Sequence, residues 1–177
     1  MNNRSKRTQK PADNSPAVES AHQTTSATLS DRDYLLQALL VAKSAGADVP
    51  VGAVIVKNGK VISSGCNQRE ASGDPTAHAE IVALRAAAAT TGSWRLDGTT
   101  LYTTLEPCPM CAEAIIQSRV ARVVFGAYEP LSGAAGSAFN LFLPGRSYPI
   151  PEVIGGIMEN ECKALIVEFF RHKSKLS

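Results

Sequence analysis

The chain has 177 residues, a formal net charge of +2 and 44% hydrophobic residues, enough for one domain with its own core. No apolar run reaches the length of a membrane span, so no membrane partner is expected, and no signal-peptide pattern opens the chain. Four cysteines do not make a disulfide framework, which favours a reducing, cytoplasmic setting.

The charge is unevenly divided. Residues 1–30 hold four basic and two acidic residues, residues 31–170 hold 11 and 14, and residues 171–177 add three basic ones. A mildly acidic body excludes a general nucleic-acid binder, so any RNA contact must be local. Residues 1–30 are polar and read as a disordered extension, with 31–173 as the domain and 174–177 as a short basic tail. Ser30 caps a helix that carries Asp31 and Asp33 in its first turn. Tyr34, Leu35, Ala38, Leu39 and Ala42 follow helical spacing, and Gly46 can end it. Residues 51–56 read as a buried strand, Asn58-Gly59 as a hairpin turn, and residues 61–66 as the returning strand.

Asn67 begins a loop to Pro75, and Asp74-Pro75-Thr76 starts a helix over about 77–89. A strand over 99–104 leads to a helix beginning near Cys108, with Ala112, Ile115 and Ile116 inward. A strand over 121–125 follows, then a glycine-rich loop over 126–137 and a short helix over 138–143. A last strand opens at Val153-Ile154, and residues 160–171 read as a closing helix. This alternation argues a layered α/β domain, and the long connection between the last two strands permits a parallel crossover.

Chemistry concentrates in two stretches, Thr76-Ala77-His78-Ala79-Glu80 and Glu106-Pro107-Cys108-Pro109-Met110-Cys111. Cys108 and Cys111 at i and i+3 share one helix face, and two thiolates at that spacing suit zinc. His78 offers a third ligand. His22 and His172 lie in or near the chain ends, while Cys66 and Cys162 read as packed residues. Three protein ligands leave one position for water, the habit of catalytic zinc. Glu80 can then move protons between that water and a leaving group, provided that it shares the first helical turn with His78. Cys-x-x-Cys alone also fits a structural zinc half-site or a redox pair. A structural site needs a fourth ligand and leaves Glu80 without a task, and a redox pair prefers a thioredoxin-like context.

His-x-Glu followed by Pro-Cys-x-x-Cys is the recognised signature of zinc nucleobase deaminases. From about Asp31 to Lys173 the sequence resembles the bacterial tRNA-specific adenosine deaminases, the TadA family. The matching stretches are residues 49–54, 74–81, 104–111, 122–127 and 133–137, and Phe169-Phe170-Arg171. The resemblance implies a three-layer cytidine deaminase-like fold, with a central mixed five-stranded sheet flanked by helices. It implies one zinc ion on His78, Cys108 and Cys111, with Glu80 as proton shuttle. The implied reaction is hydrolysis of adenosine to inosine at the wobble position of a tRNA anticodon stem-loop, with zinc-activated water attacking C6 of the flipped base. Asn67, with backbone near Ala79 and Pro107, would meet the nucleoside, and Glu129 and Arg171 would contact RNA. A homodimer is implied as well. Tyr128, Glu129 and Leu131 depart from the family pattern, which carries a basic residue, Asp and later Lys there. A small-molecule base deaminase shares all of the zinc chemistry, and a noncatalytic zinc-stabilised RNA binder shares the ligands.

Overall fold

A computed structural model describes residues 29–175; residues 1–28 of the extension expected over 1–30, His22 included, and the last two residues lie outside it. The elements are α1 (Asp31–Ala42), β1 (Gly52–Lys57), β2 (Lys60–Cys66), α2 (Arg69–Ser72), α3 (Ala79–Thr91), β3 (Thr99–Leu105), α4 (Pro109–Gln117), β4 (Arg122–Ala127), β5 (Glu152–Ile154) and α5 (Glu159–Lys173). Ser30 caps α1 as expected: its hydroxyl accepts from the Asp33 N–H, and Asp33 answers to the Ser30 backbone. A short 3-10 turn, Lys43–Ala45, tightens the end of α1 before Gly46.

The five strands form one sheet in the order β2-β1-β3-β4-β5. β1 runs antiparallel to both β2 and β3, whereas β4 and β5 run parallel to β3. β2 and β3 therefore flank β1 and point the same way. The helices that follow them, α3 and α4, begin at the same edge of the sheet. That shared direction brings two segments distant in sequence to one place.

Alternation along the strands builds the layers. Ala53, Ile55, Leu101 and Val123 pack with Ala79, Leu84, Cys111 and Ile115 of α3 and α4. Val54, Val56, Tyr102 and Val124 face the other way, against Leu35 and Ala38 of α1 and Cys162 of α5. The sheet is thus covered on both faces, in the three-layer α/β arrangement expected. Gly65 lets α3 sit on β2 backbone to backbone: a Cβ there would lie 2.6 Å from the Ala83 nitrogen and 2.7 Å from the Ala79 oxygen.

Two expectations are corrected. Residues 138–143 do not form a helix; they are irregular, apart from an isolated bridge that pairs Asn140 with Ala135. Residues 67–75 are not wholly loop, because Arg69–Ser72 make one helical turn. The Asp48 carboxylate accepts from the N–H groups of Glu70 and Ala71 and so caps that turn from a distance. The closing helix α5 buries only Cys162 fully, and Val167 and Phe170 stay 44% and 52% exposed.

Candidate active site

His78 and Cys108 are the N-cap residues of α3 and α4, both in extended backbone, and neither side chain caps its helix. Ser, Thr, Asp or Asn would ordinarily satisfy the first N–H groups there. Here the cap side chains are free to point at each other. Glu80 lies in the first turn of α3, and Cys111 in the first turn of α4. The i, i+2 spacing of His78 and Glu80 is reconciled because the first residue stands outside the helix and the second inside it.

The side chains converge. Cys108 Sγ lies 3.7 Å from His78 Nδ1, and Cys111 Sγ lies 3.5 Å from it. Among the described residues, His78, Cys108 and Cys111 form the metal-type cluster, and Cys66, Cys162 and His172 are not part of it. Zinc–sulfur and zinc–nitrogen bonds of about 2.3 and 2.0–2.1 Å at a tetrahedral angle separate S from N by about 3.6 Å. The donor spacing fits zinc.

The protonation chemistry fits as well. The Cys108 thiol is pulled down to about 4, first by its hydrogen bond with Cys111 and then by His78, against the effect of burial. Cys111 is pushed up by that same hydrogen bond, by burial and by the Glu80 charge. His78 is raised, chiefly by its bond to Cys108. A cluster that crowds protons onto sulfur and imidazole is one in which a divalent cation replaces them. Two helix N-termini facing the sulfurs favour the thiolate form further.

Glu80 is 4% exposed. Burial raises its carboxyl above the usual range, and the Cys108 charge adds to this. The Cys111 thiol donates to Glu80 Oε2 at 3.5 Å, and the Thr103 hydroxyl donates to Oε1 at 3.3 Å. Thr103 was not among the residues expected here. Its signal was strand alternation, since it shares a face of β3 with Leu101, which packs in the layer of α3 and α4.

The remaining expected residues are placed as follows. Asn67, just after β2, accepts from the Ala79 N–H at 2.9 Å through Oδ1 and donates to the Val49 carbonyl at 3.0 Å through Nδ2. It locks the start of α3 to the approach to β1. Pro107 is buried, and its carbonyl accepts from the Ala134 N–H at 2.8 Å. Glu129 is turned into its own loop, its Oε1 accepting from the Leu131 N–H at 2.9 Å. Arg171 is exposed in the last turn of α5. Lys173, at the same helix end, lines a small cavity of about 60 Å3 together with Asn67, Asp48 and Arg69. Glu106 was also missed as a separate element of the site. It is 2% exposed. Burial alone would raise its carboxyl, but hydrogen bonds from Ser137, Glu129 and Ala135 outweigh this and hold it below the usual range.

Zinc-dependent nucleobase deaminases with the cytidine deaminase-like fold are the class in which this sheet and this donor set occur together. Residues 29–127 match the family described as "Cytidine and deoxycytidylate deaminase zinc-binding region". The tRNA-specific adenosine deaminase of Bacillus subtilis (strain 168) is 44% identical over 147 residues, covering 82% of this chain and 91% of that protein. A solved structure from a study of A-to-I editing by tRNA:A34 deaminases superposes with a TM-score of 0.72 at 41% identity, covering 75% of this chain and 97% of that one. A guanine deaminase from Bacillus subtilis gives a TM-score of 0.56 at 38% identity, covering 70% and 83%. The chain belongs to the zinc-binding cytidine and deoxycytidylate deaminase family and, within it, to the tRNA-specific adenosine deaminases.

Proposed function

We propose that this chain hydrolyses adenosine to inosine at the wobble position of a tRNA anticodon stem-loop and releases ammonia. The observation that carries the deamination chemistry is the buried Glu80 carboxylate beside the His78, Cys108 and Cys111 cluster; the 44% identity to a tRNA-specific adenosine deaminase supports the choice of substrate. His78, Cys108 and Cys111 would hold the zinc. Bound there, zinc supplies Lewis acidity that brings the ionisation of water into the neutral range. Glu80 takes one proton of the attacking water at Oε2, the oxygen nearer the sulfurs, and passes it to the adenine ring nitrogen; it then takes the proton of the hydroxyl added at C6 and delivers it to the departing amine, which leaves as ammonia. Thr103 keeps Oε1 occupied, which fixes the carboxylate so that one oxygen does the transfers. Burial raises the Glu80 carboxyl, which brings its basicity closer to working pH and helps it both to accept and to release the proton.

Asn67 retains a second Nδ2 proton, which suits it to hydrogen-bond the flipped nucleoside near Ala79 and Pro107. Glu129, Arg171 and Lys173 border the RNA path. The catalytic domain is taken as residues 31–173, with 1–30 and 174–177 as extensions. The four cysteines are free, as expected in a reducing cytoplasm where tRNA is abundant. No helix among the described residues is long and apolar enough to cross a membrane. A homodimer is supported by the outer surface of α3 and α4, where Ile81, Leu84, Ala88 and Ala114 line a hollow beside Trp94, itself 61% exposed. Sedimentation of the purified protein at micromolar concentration is expected to give a dimer, and an active monomer would refute that part.

The test of the activity is inosine formation in a total tRNA pool incubated with zinc-loaded protein. Inosine at the wobble position is the expected result. Turnover of free guanine or cytosine with no inosine in tRNA would replace this reading with a small-molecule deaminase.

A further inference from the structure

Glu106 is a buried carboxylate that proton transfer does not use. It stands at the turn from β3 to α4, two residues before Cys108. Its N–H donates to the Ala127 carbonyl at 2.9 Å, which ties the turn to the end of β4. Its Oε1 accepts from the N–H groups of Ala135 at 2.8 Å and Ser137 at 3.1 Å. Its Oε2 accepts from the Glu129 N–H at 3.0 Å and from the Ser137 hydroxyl. A carboxylate offers about four acceptor sites, and all of them are filled by residues 129–137. Glu106 therefore has no free oxygen with which to shuttle protons. The neighbouring Pro107 carbonyl takes the Ala134 N–H. Gly133 is held so close that a Cβ would lie 2.3 Å from Glu106 Oε2 and 2.6 Å from the Glu129 oxygen. One side chain of the metal-site turn is thus the spool around which the loop is wound.

The outer side of the same region is apolar and open. Tyr128, Leu131 and Phe139 are 47%, 88% and 52% exposed. Tyr128 is braced edge-on against Phe125 at 5.1 Å. Exposed aromatic groups on a rigid support are what unstacked RNA bases require. Ordering a loop on binding has an entropic cost, so a loop ordered beforehand binds RNA at a smaller one.

We infer that Glu106 is a positioning residue for RNA. It fixes residues 129–137 as the wall that receives nucleotides flanking the target adenosine, and so favours an RNA loop over a free base. This inference rests on the tRNA reading above.

The test is Glu106→Gln in the full chain, with zinc content, inosine kinetics on an anticodon stem-loop and amide hydrogen exchange all measured. Gln keeps the shape but turns an amide donor toward donors. Zinc stoichiometry should hold and kcat should stay within about threefold, while KM rises about tenfold or more. Exchange at the amides of 129, 135 and 137 should accelerate while α4 stays protected. Ser137→Ala, which removes only the hydroxyl donor, should move KM the same way by about threefold; it decides the matter if the Gln variant does not fold. Unchanged KM and exchange, or loss of zinc together with kcat, would overturn the inference. Wild-type protein separates the two claims: if it makes no inosine, the tRNA reading falls, whereas the exchange data bear on Glu106 alone.

Discussion

At the scale of single residues, the site contains two buried glutamates with opposite tasks. Glu80 lies against sulfur and one hydroxyl, and burial raises its carboxyl. Glu106 is surrounded by N–H and O–H donors, and its carboxyl is lowered. A group that must exchange protons needs unfilled acceptor capacity; a group that must hold a loop needs the reverse. Glu80→Ala is therefore expected to keep zinc, because the three ligands are untouched. Its inosine formation should fall by about 10²–10⁴-fold in kcat. Elemental analysis and single-turnover kinetics on the same preparation check both halves, and unchanged turnover would remove the proton shuttle.

At the scale of elements, catalysis depends on where two helices begin. α3 is seated by Gly65 and by Asn67, whose Oδ1 holds the Ala79 N–H. In Gly65→Ala, the new methyl meets backbone on both sides and α3 has to move. Overpacking of this kind costs about 1–3 kcal/mol. The expected outcome is a lower melting temperature together with weaker zinc retention, since His78 rides on the same helix start. Calorimetry and a chelator competition would show whether the two losses come together. These elements were largely legible in the sequence. A buried apolar run and the Asn58-Gly59 turn gave the first hairpin, Ser30 gave the start of α1, and the His-Ala-Glu and Pro-Cys-x-x-Cys stretches gave the ligands. What was not legible depends on distant partners. The turn Arg69–Ser72 owes its cap to Asp48, and no local signal announces such a cap. Residues 129–137 take their form from Glu106, and Ala138 and Phe139 then close back on the Gly133 carbonyl. A short helix is expected over residues 138–143, but the hydrogen bonds to the Gly133 carbonyl, in a loop held by a remote carboxylate, prevail over local propensity.

At the scale of the whole molecule, one polar cluster joins the helical layer of α1 to three strands. Arg122 of β4 grips Asp31 of α1 with both guanidinium arms, at 2.8 and 2.7 Å. Its Nε lies 3.2 Å from Glu152 of β5, and the Tyr102 hydroxyl of β3 donates to Asp31 at 2.9 Å. Asp31 and Arg122 side chains are 31% and 25% exposed, so water screens the pair incompletely. The Arg122 hydrogen bonds hold the Asp31 carboxyl below its ordinary value of 3.8, although burial opposes them. A depressed folded pKa means that the unfolded chain takes up the proton first as pH falls. The stabilisation is therefore complete well above 3.8, begins to fade as pH drops through that value, and is gone below the lower folded pKa. Asp31→Asn should cost about 1 kcal/mol at neutral pH. Denaturant midpoints of wild type and variant should converge as pH falls below about 4. A gap that stays constant across that range would mean that Asp31 contributes through packing or helix capping, and that the ionic tie between the layers carries no stability of its own.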